Sequence, residues 1–170
     1  MKLTDLHILQ MSALELAPYL LGKLLCVSDD VRGVVKSRIT ETEAYFGEED
    51  TACHAHKGKT PRTEVLYEKG GIAYVYLCYG IHSLMNVISG PEGHPEGVLI
   101  RGVEGFNGPG KLTKYLGIDR SFNKEDLITS NRIWIEDDSF VPDVIHTSPR
   151  IGIGYATKEY IDKPWRFFLK

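Results

Sequence analysis

Residues 39–56 read Ile39-Thr40-Glu41-Thr42-Glu43-Ala44-Tyr45-Phe46-Gly47-Glu48-Glu49-Asp50-Thr51-Ala52-Cys53-His54-Ala55-His56. The start of this stretch predicts a strand, because residues 34–46 contain β-branched and aromatic side chains and neither Pro nor Gly. Since side chains alternate along a strand, Ile39, Glu41, Glu43 and Tyr45 fall on one face. A carboxylate beside an aromatic ring is suited to act as a general base next to a flat substrate. The alternative interpretation is a solvated strand face followed by a polar loop.

The size and composition of the chain predict one domain over residues 1–170. The chain has 170 residues, of which 42% are hydrophobic and 25% are charged, as in an ordinary soluble protein. It contains no apolar run of membrane-spanning length, and residues 1–5 lack the apolar core of a signal peptide. Three cysteines at unrelated spacings argue against a disulfide framework, so we expect a cytoplasmic protein.

The charge of the chain is unevenly distributed. A net charge of −3 argues against a nucleic-acid partner, because phosphates attract basic surfaces. However, residues 57–62 carry three positive charges and no negative one, whereas residues 125–143 carry six acids and one base. The pattern is compatible with a basic face and an acidic back.

The order of predicted elements indicates an α+β fold. Ser12 and Glu15 form a capping box at the start of a helix that ends near Gly22, and a second helix spans residues 109–116. Strands are predicted at residues 23–28, 34–46, 72–79, 81–89, 97–103, 132–136 and 151–153. We expect a single domain with a mixed, mostly antiparallel, curved sheet, surrounding short helices and a protruding hairpin that turns near Tyr79-Gly80.

Neither a metal nor a cofactor is predicted. Cys53, His54, His56 and Cys78 match no common zinc spacing. The run Gly108-Pro109-Gly110-Lys111-Leu112 lacks the spacing of a phosphate-binding P-loop. It predicts instead a tight turn into a helix, where the first N–H groups and Lys111 are able to hold one backbone phosphate.

Four tyrosines, Tyr45, Tyr74, Tyr76 and Tyr79, accompany His54 and the carboxylates. Packing in the core is the default for any one tyrosine. Together with a histidine and a carboxylate they suit a slot for a planar heterocycle. Enzymes that act on a base in DNA extrude it into such a slot and stack it between aromatic rings.

Seven motifs in order resemble one known family, the alkyladenine (3-methyladenine) DNA glycosylases of the mammalian type, of which this chain would be a bacterial member. The resemblance extends from about Ala13 to Phe167. The motifs are Glu41-Thr42-Glu43-Ala44-Tyr45 with Asp50-Thr51-Ala52-Cys53-His54, Thr60-Pro61-Arg62, Tyr74-Val75-Tyr76 with Tyr79-Gly80 and Asn86, Val98-Leu99-Ile100-Arg101, Gly108-Pro109-Gly110-Lys111-Leu112, Pro149-Arg150-Ile151-Gly152-Ile153, and Trp165-Arg166-Phe167.

The resemblance implies a base-excision-repair enzyme that acts as a monomer. Members of the family flip alkylated or deaminated purines, such as 3-methyladenine, hypoxanthine and ethenoadenine, out of double-stranded DNA. They hydrolyse the N-glycosidic bond without metal or cofactor, and a hairpin enters the minor groove. No lysine lies at a motif position where it would attack the sugar, so we expect a monofunctional glycosylase without lyase activity.

The resemblance also implies roles for single residues. Glu43 would be the general base that activates water, and Arg101 and the backbone carbonyl of Ile151 would help to hold that water. The remaining residues would contact DNA: Tyr45 on one face of the flipped base, His54 and Tyr76 on the other, Asn86 against the amino group of guanine, Tyr79 in the gap left in the duplex, and Lys57, Lys59, Arg62, Lys111 and Arg150 on backbone phosphates.

Two alternative functions stay open at this point. A non-catalytic module that senses damaged bases would keep the tyrosines but would need neither Glu43 nor Arg101. A nucleoside or glycoside hydrolase would use two facing carboxylates, and Glu41 and Glu43 on one strand face are candidates for that pair. Gly97 and Gly102 stand where relatives often have larger residues, which leaves the breadth of substrates open.

Overall fold

The fold is organised around one long central strand. The computed structural model describes residues 1–170 and places β2 at Gly33–Phe46. The first part of β2 pairs with β1 (Leu24–Asp29), and its Glu41–Glu43 part pairs with a C-terminal strand, Arg166–Phe168. Its other edge pairs with the strand Glu96–Val103. The predicted acidic strand therefore has neighbours on both sides.

The other strands extend this arrangement into a nine-stranded sheet in which every pairing is antiparallel. The two unlabelled strands described above are β5 (Glu96–Val103) and β9 (Arg166–Phe168). The other strands are β3 (Ala73–Cys78), β4 (His82–Ile88), β6 (Phe106–Asn107), β7 (Ile133–Glu136) and β8 (His146–Ser148). The main order is β3-β4-β5-β2-β1-β7, with β6 beside β5 and β8 beside β9. The β3–β4 hairpin thus lies at one end of the sheet and β7 at the other.

Short helices complete the α+β fold that the sequence predicts. The α-helices are α1 (Leu6–Leu9), α2 (Ala13–Leu20), α3 (Pro109–Leu116) and α4 (Lys158–Ile161), and 3₁₀ helices span His54–Lys57, Glu64–Tyr67 and Arg120–Phe122. The predicted capping box is present, with Ser12 and Glu15 bonding each other's backbone N–H groups. None of the helices has the length and hydropathy that crossing a bilayer requires.

The two faces of β2 serve different purposes. Thr42 and Ala44 are fully buried on the side that packs on α2, where the hydroxyl of Thr42 donates to the Ala17 carbonyl at 2.8 Å. The main core of aliphatic side chains lies on this side. A smaller buried cluster, which includes Cys53, Leu66 and Tyr74, is separate from this main core and packs against Tyr45 and Tyr76. From Glu41 to Tyr45 the predicted alternation separates this core from a face with polar groups. Ile39, which strict alternation places on the face of Glu41 and Glu43, lies in the main core instead, because a bulge at Glu41 interrupts the alternation.

One predicted strand is wrong, and several short elements were not predicted. Residues 151–153 form a bend and a loop, because Gly152 has φ +75°, outside the β region. The strands β8 and β9 and the helix α1 contain only three or four residues each, which is too short for periodicity to identify. A bulge also interrupts β2, since its register with β5 shifts on both sides of Glu41.

Candidate active site

A row of directly opposed residues crosses the sheet and fixes the position of the site. Tyr74 on β3 lies opposite Asn86 on β4, Asn86 lies opposite Leu99 on β5, and Leu99 lies opposite Glu43 on β2. Directly opposed residues in antiparallel strands direct their side chains to the same face. The sheet register therefore places Glu43, the predicted general base, on the same face as Tyr74 and Asn86.

Glu43 is a fully buried carboxylate with three partners from different parts of the chain. Its Oε1 accepts the hydroxyl of Tyr45 at 3.0 Å and lies 3.7 Å from Nη1 of Arg101. Its Oε2 accepts the backbone N–H of Ile151 at 2.6 Å. Burial raises the pKa of Glu43, while Arg101 and the two hydrogen bonds oppose that rise. The result is a stronger base than an ordinary carboxylate.

Glu41, the second carboxylate on this face, is already paired with two guanidinium groups. Its Oε1 accepts Nε of Arg101 at 3.0 Å and Nε of Arg166 at 2.6 Å. The two guanidinium groups balance the negative charge of Glu41. The bond to Glu41 also orients Arg101, whose Nη1 lies 3.7 Å from Oε1 of Glu43. Sequence reasoning did not assign this role to Arg166, although the residue belongs to one of the seven motifs.

Beside Glu43 lies a recess lined mainly by aromatic side chains. Tyr45, Cys53, His54, Leu66, Tyr74, Tyr76, Asn86, Gly97 and Tyr155 line it. The rings of His54 and Tyr76 are 4.6 Å apart at 67°, and those of Tyr74 and Tyr76 are 5.2 Å apart at 35°. The small Gly97 lies opposite Tyr45 on the neighbouring strand, so no side chain from that position narrows the recess.

The polar groups of the recess are held in fixed states. Nδ1 of His54 lies 3.2 Å from the hydroxyl of Tyr74. Burial and the nearby Arg62 lower the pKa of His54, which favours the neutral imidazole. The amide nitrogen of Asn86 donates to the Tyr74 carbonyl at 3.2 Å. Burial raises the pKa of the Cys53 thiol to about 12, so the group stays protonated.

The recess opens into a longer groove on the surface. Tyr45, His54, Tyr76 and Tyr155 line both, and the groove continues past Arg101 and Ile151 to the tip of the β3–β4 hairpin and the start of α3. Tyr155 was not predicted; its ring is exposed, and its hydroxyl donates to the Ala52 carbonyl at 2.8 Å. No periodicity marks this residue, because it lies in an irregular segment.

Tyr79 lies at the hairpin tip and is 91% exposed, as the sequence predicts. The two turn residues, Tyr79 and Gly80, have φ +52° and +66°, and the N–H of Ile81 closes the turn on the Cys78 carbonyl at 3.1 Å. Such a turn favours Asn or Gly in its first position, so a bulky aromatic residue is strained there. Strain of this kind concentrates at functional sites.

Four of the five side chains predicted to contact DNA phosphates are exposed. Lys57, Lys59, Arg62 and Lys111 form no ion pair, and Arg62 and Lys111 line the groove together with Lys114. Arg62 also lies 5.5 Å from the ring centre of Tyr76. Arg62, Lys111 and Lys114, here called the groove cations, are therefore available to a ligand in the groove.

The predicted phosphate contact of Arg150 is wrong. Its side chain is fully buried and makes two hydrogen bonds to Asp50, at 2.7 and 2.9 Å, so it is out of reach of a DNA backbone. The adjacent Ile151 was predicted to act through its carbonyl, but its observed contact with the site is the N–H that bonds Glu43. Both features depend on tertiary packing that the motif itself does not reveal.

Comparison with known proteins identifies the family. A family model described as methylpurine-DNA glycosylase (MPG) matches residues 7–106 and 104–170. The chain therefore belongs to the methylpurine-DNA glycosylase family, which confirms the resemblance carried by the seven motifs. A protein of Borrelia garinii subsp. bavariensis named "Putative 3-methyladenine DNA glycosylase" is 42% identical over 178 residues, covering 98% of this chain and 95% of that protein. A protein of the same name from Psychrobacter cryohalolentis is 44% identical over 173 residues, covering 84% of this chain and 81% of that protein.

The raised pKa of Glu43 predicts how its substitution affects stability. A carboxyl group whose pKa is higher in the folded than in the unfolded state stabilises the fold below its unfolded pKa, and this contribution is lost as the pH rises through the folded pKa. Glu43→Gln removes the buried charge, so we expect it to melt above the wild type at pH 8. The difference in melting temperature should close as the pH falls towards 4. Thermal melts across this range measure it, and a variant that melts lower at every pH contradicts the prediction.

Proposed function

We propose that the protein is a DNA glycosylase that flips alkylated or deaminated purines out of double-stranded DNA and hydrolyses their N-glycosidic bond. The observation that carries the proposal is the buried carboxylate of Glu43 beside a recess of aromatic rings that opens into a groove with unpaired cations. Membership of the methylpurine-DNA glycosylase family and the names of the relatives support it.

In the proposed reaction the flipped purine occupies the recess. Tyr45 stacks on one face of the base, and His54 and Tyr76 stack on the other. Alkylated purines that carry positive charge are attracted to electron-rich rings, as other cations are. The amide of Asn86, at the closed side of the recess, would crowd the amino group of guanine and so disfavour that base.

Glu43 then acts as general base on a water molecule that attacks the sugar. Because the sugar becomes oxocarbenium-like as the base leaves, the ionised carboxylate also stabilises the developing positive charge. Arg101 and the backbone of Ile151 hold the reacting groups in place. The reaction needs no metal and no lysine nucleophile, and its product is an abasic site.

The paired state of Glu41 argues against a hydrolase of small nucleosides or glycosides. That mechanism requires a second carboxylate that is free to act across the scissile bond. Glu41 instead binds Arg101 and Arg166, so it acts on the site only by orienting Arg101. A small substrate would also leave the exposed Tyr79 and the groove cations without a purpose.

Incubation of the wild type with defined substrates tests the proposal. Duplexes carry one hypoxanthine, one ethenoadenine or one 3-methyladenine, and the abasic sites formed are scored by alkaline cleavage. Free nucleosides with the same bases serve as controls. We expect release from at least one duplex, no strand cleavage before alkali and no hydrolysis of nucleosides. Hydrolysis of free nucleosides alone, or no release from any duplex, contradicts the proposal.

Tyr79 is expected to fill the gap that the extruded nucleotide leaves. Tyr79→Ala should keep the wild-type melting temperature, because an exposed side chain contributes little to stability. Its single-turnover rate on duplex should fall by about 10- to 100-fold, since unstacking the nucleotide costs a few kcal/mol that the wedge no longer offsets. The rate on single-stranded substrate should stay near that of the wild type. Tyr79→Phe, which keeps the ring, is the matched control, and equal duplex rates for both variants contradict the wedge.

The groove cations are expected to contact DNA phosphates despite the net charge of −3. Affinity for a duplex with an abasic analogue, measured across a salt series, should fall steeply as salt rises. Lys111→Gln should lower the log–log slope by about 0.9, the loss of one phosphate contact. Lys36 pairs with Glu136 on β7, at the opposite end of the sheet from the β3–β4 hairpin, so Lys36→Gln should leave the slope unchanged. A flat wild-type slope removes the phosphate-contact hypothesis.

A further inference from the structure

The segment that supplies the N–H bonded to Glu43 has no regular structure. Residues 149–156, here called the Ile151 segment, connect β8 to the start of α4. The only backbone–backbone hydrogen bond within it runs from Ala156 to Ile153, and none joins it to the rest of the backbone. The side chain of Ile151 itself is half exposed. The position of this N–H must therefore be set by other side chains.

Arg150 is the principal anchor of the Ile151 segment. Its guanidinium makes two hydrogen bonds to Asp50 and donates to the carbonyls of Ala44 at 3.0 Å and Tyr160 at 3.3 Å. Asp50 in turn accepts the N–H groups of Phe46 and Ala52, each at 3.1 Å. Both side chains of the ion pair are fully buried, and the pair joins the segment to the end of β2.

Two weaker tethers hold the same segment and its C-terminal neighbour. The hydroxyl of Tyr155 donates to the Ala52 carbonyl at 2.8 Å, and the N–H of Thr157 donates to the hydroxyl of Thr51 at 2.9 Å. Both reach the loop that contains Asp50. The Tyr155 bond is partly buried and the Thr157 bond is exposed, so each contributes less positional constraint than the fully buried ion pair.

We propose that the Asp50–Arg150 ion pair is a positioning device for the general base, because it holds the N–H of Ile151 on the carboxylate of Glu43. The inference rests on the proposed role of Glu43. A buried ion pair adds little net stability, since desolvation of both charges offsets their attraction, so stability alone does not account for it. The ion pair is instead explained by the position of Arg150, which is one residue before the N–H donor Ile151. The same guanidinium lies 4.7 Å from the ring centre of Tyr45, the other donor to Glu43.

Arg150→Lys tests the proposal because it keeps the charge and removes the two-pronged geometry. We expect the single-turnover rate of base release to fall about tenfold or more, since misplacement of a catalytic group is costly. The acid limb of the pH–rate profile should also move to higher pH, because loss of an N–H donor favours the protonated form of Glu43. The ¹³C shift of the Glu43 carboxyl reports the same pKa without any catalysis.

Arg38→Lys is a control with matched hydrogen bonds at a more exposed ion pair. Arg38 also binds an aspartate through two nitrogens, Asp138 at 3.1 and 2.7 Å, donates to the Gly22 carbonyl and lies over an aromatic ring, that of Phe140. This pair lies on the β1 side of the sheet, away from Glu43, so the variant should keep the wild-type rate and pH profile. A shift of the acid limb in both variants would show a general effect of losing an arginine and would overturn the proposal.

A purely structural role for the ion pair gives a different result. Arg150→Lys would then melt at a lower temperature but keep the wild-type pKa of Glu43, and this outcome overturns the proposal. If Arg150→Lys does not fold, Asp50→Asn removes the charge that holds the guanidinium and leaves Arg150 itself in place. The single-turnover rate of base release should then fall, and a wild-type rate overturns the proposal. Failure of the wild type to release any base rejects the proposed function instead, while the ¹³C titration still tests the positioning.

Discussion

The burial of one charged group, the carboxylate of Glu43, is the constraint on which the site depends. An isolated charge taken out of water is expensive, so the chain must supply compensating partners. It does so from three separate regions: Tyr45 on the same strand, Arg101 on β5 and the N–H of Ile151 in the irregular segment before α4. The central position of β2, paired on both edges at Glu43, brings these regions together.

The order of strands also explains how an acidic protein presents a basic groove. The acidic stretch 125–143 includes β7, at the opposite end of the sheet order from the β3–β4 hairpin. Three of its carboxylates, Glu136, Asp137 and Asp138, pair with lysine or arginine side chains on or next to β1 and β2. Arg62, Lys111 and Lys114 in the groove lack such partners, so the local charge near the hairpin is more positive than the net charge of −3 indicates.

The sequence predicted the elements whose signals are local. The alternation from Glu41 to Tyr45, the Ser12–Glu15 capping box and the exposed turn at Tyr79-Gly80 depend only on neighbouring residues, and the structure contains all three. Contacts over long sequence separations were not predictable in this way. The sequence predicts that Arg150 is a surface cation, because its buried partner Asp50 is 100 residues away in the chain. Tyr155 was missed for the same reason.

The role of Glu43 as general base is tested by comparing single-turnover base release by Glu43→Gln and by the wild type. The substrate is the duplex from which the wild type releases its base fastest. The amide keeps the shape of the side chain but cannot take a proton from water. Since general-base catalysis contributes about 10²- to 10⁴-fold, the account predicts a rate loss of at least that size with binding to an abasic-analogue duplex retained. A variant that keeps more than about a tenth of the wild-type rate would contradict the role of Glu43 as the base.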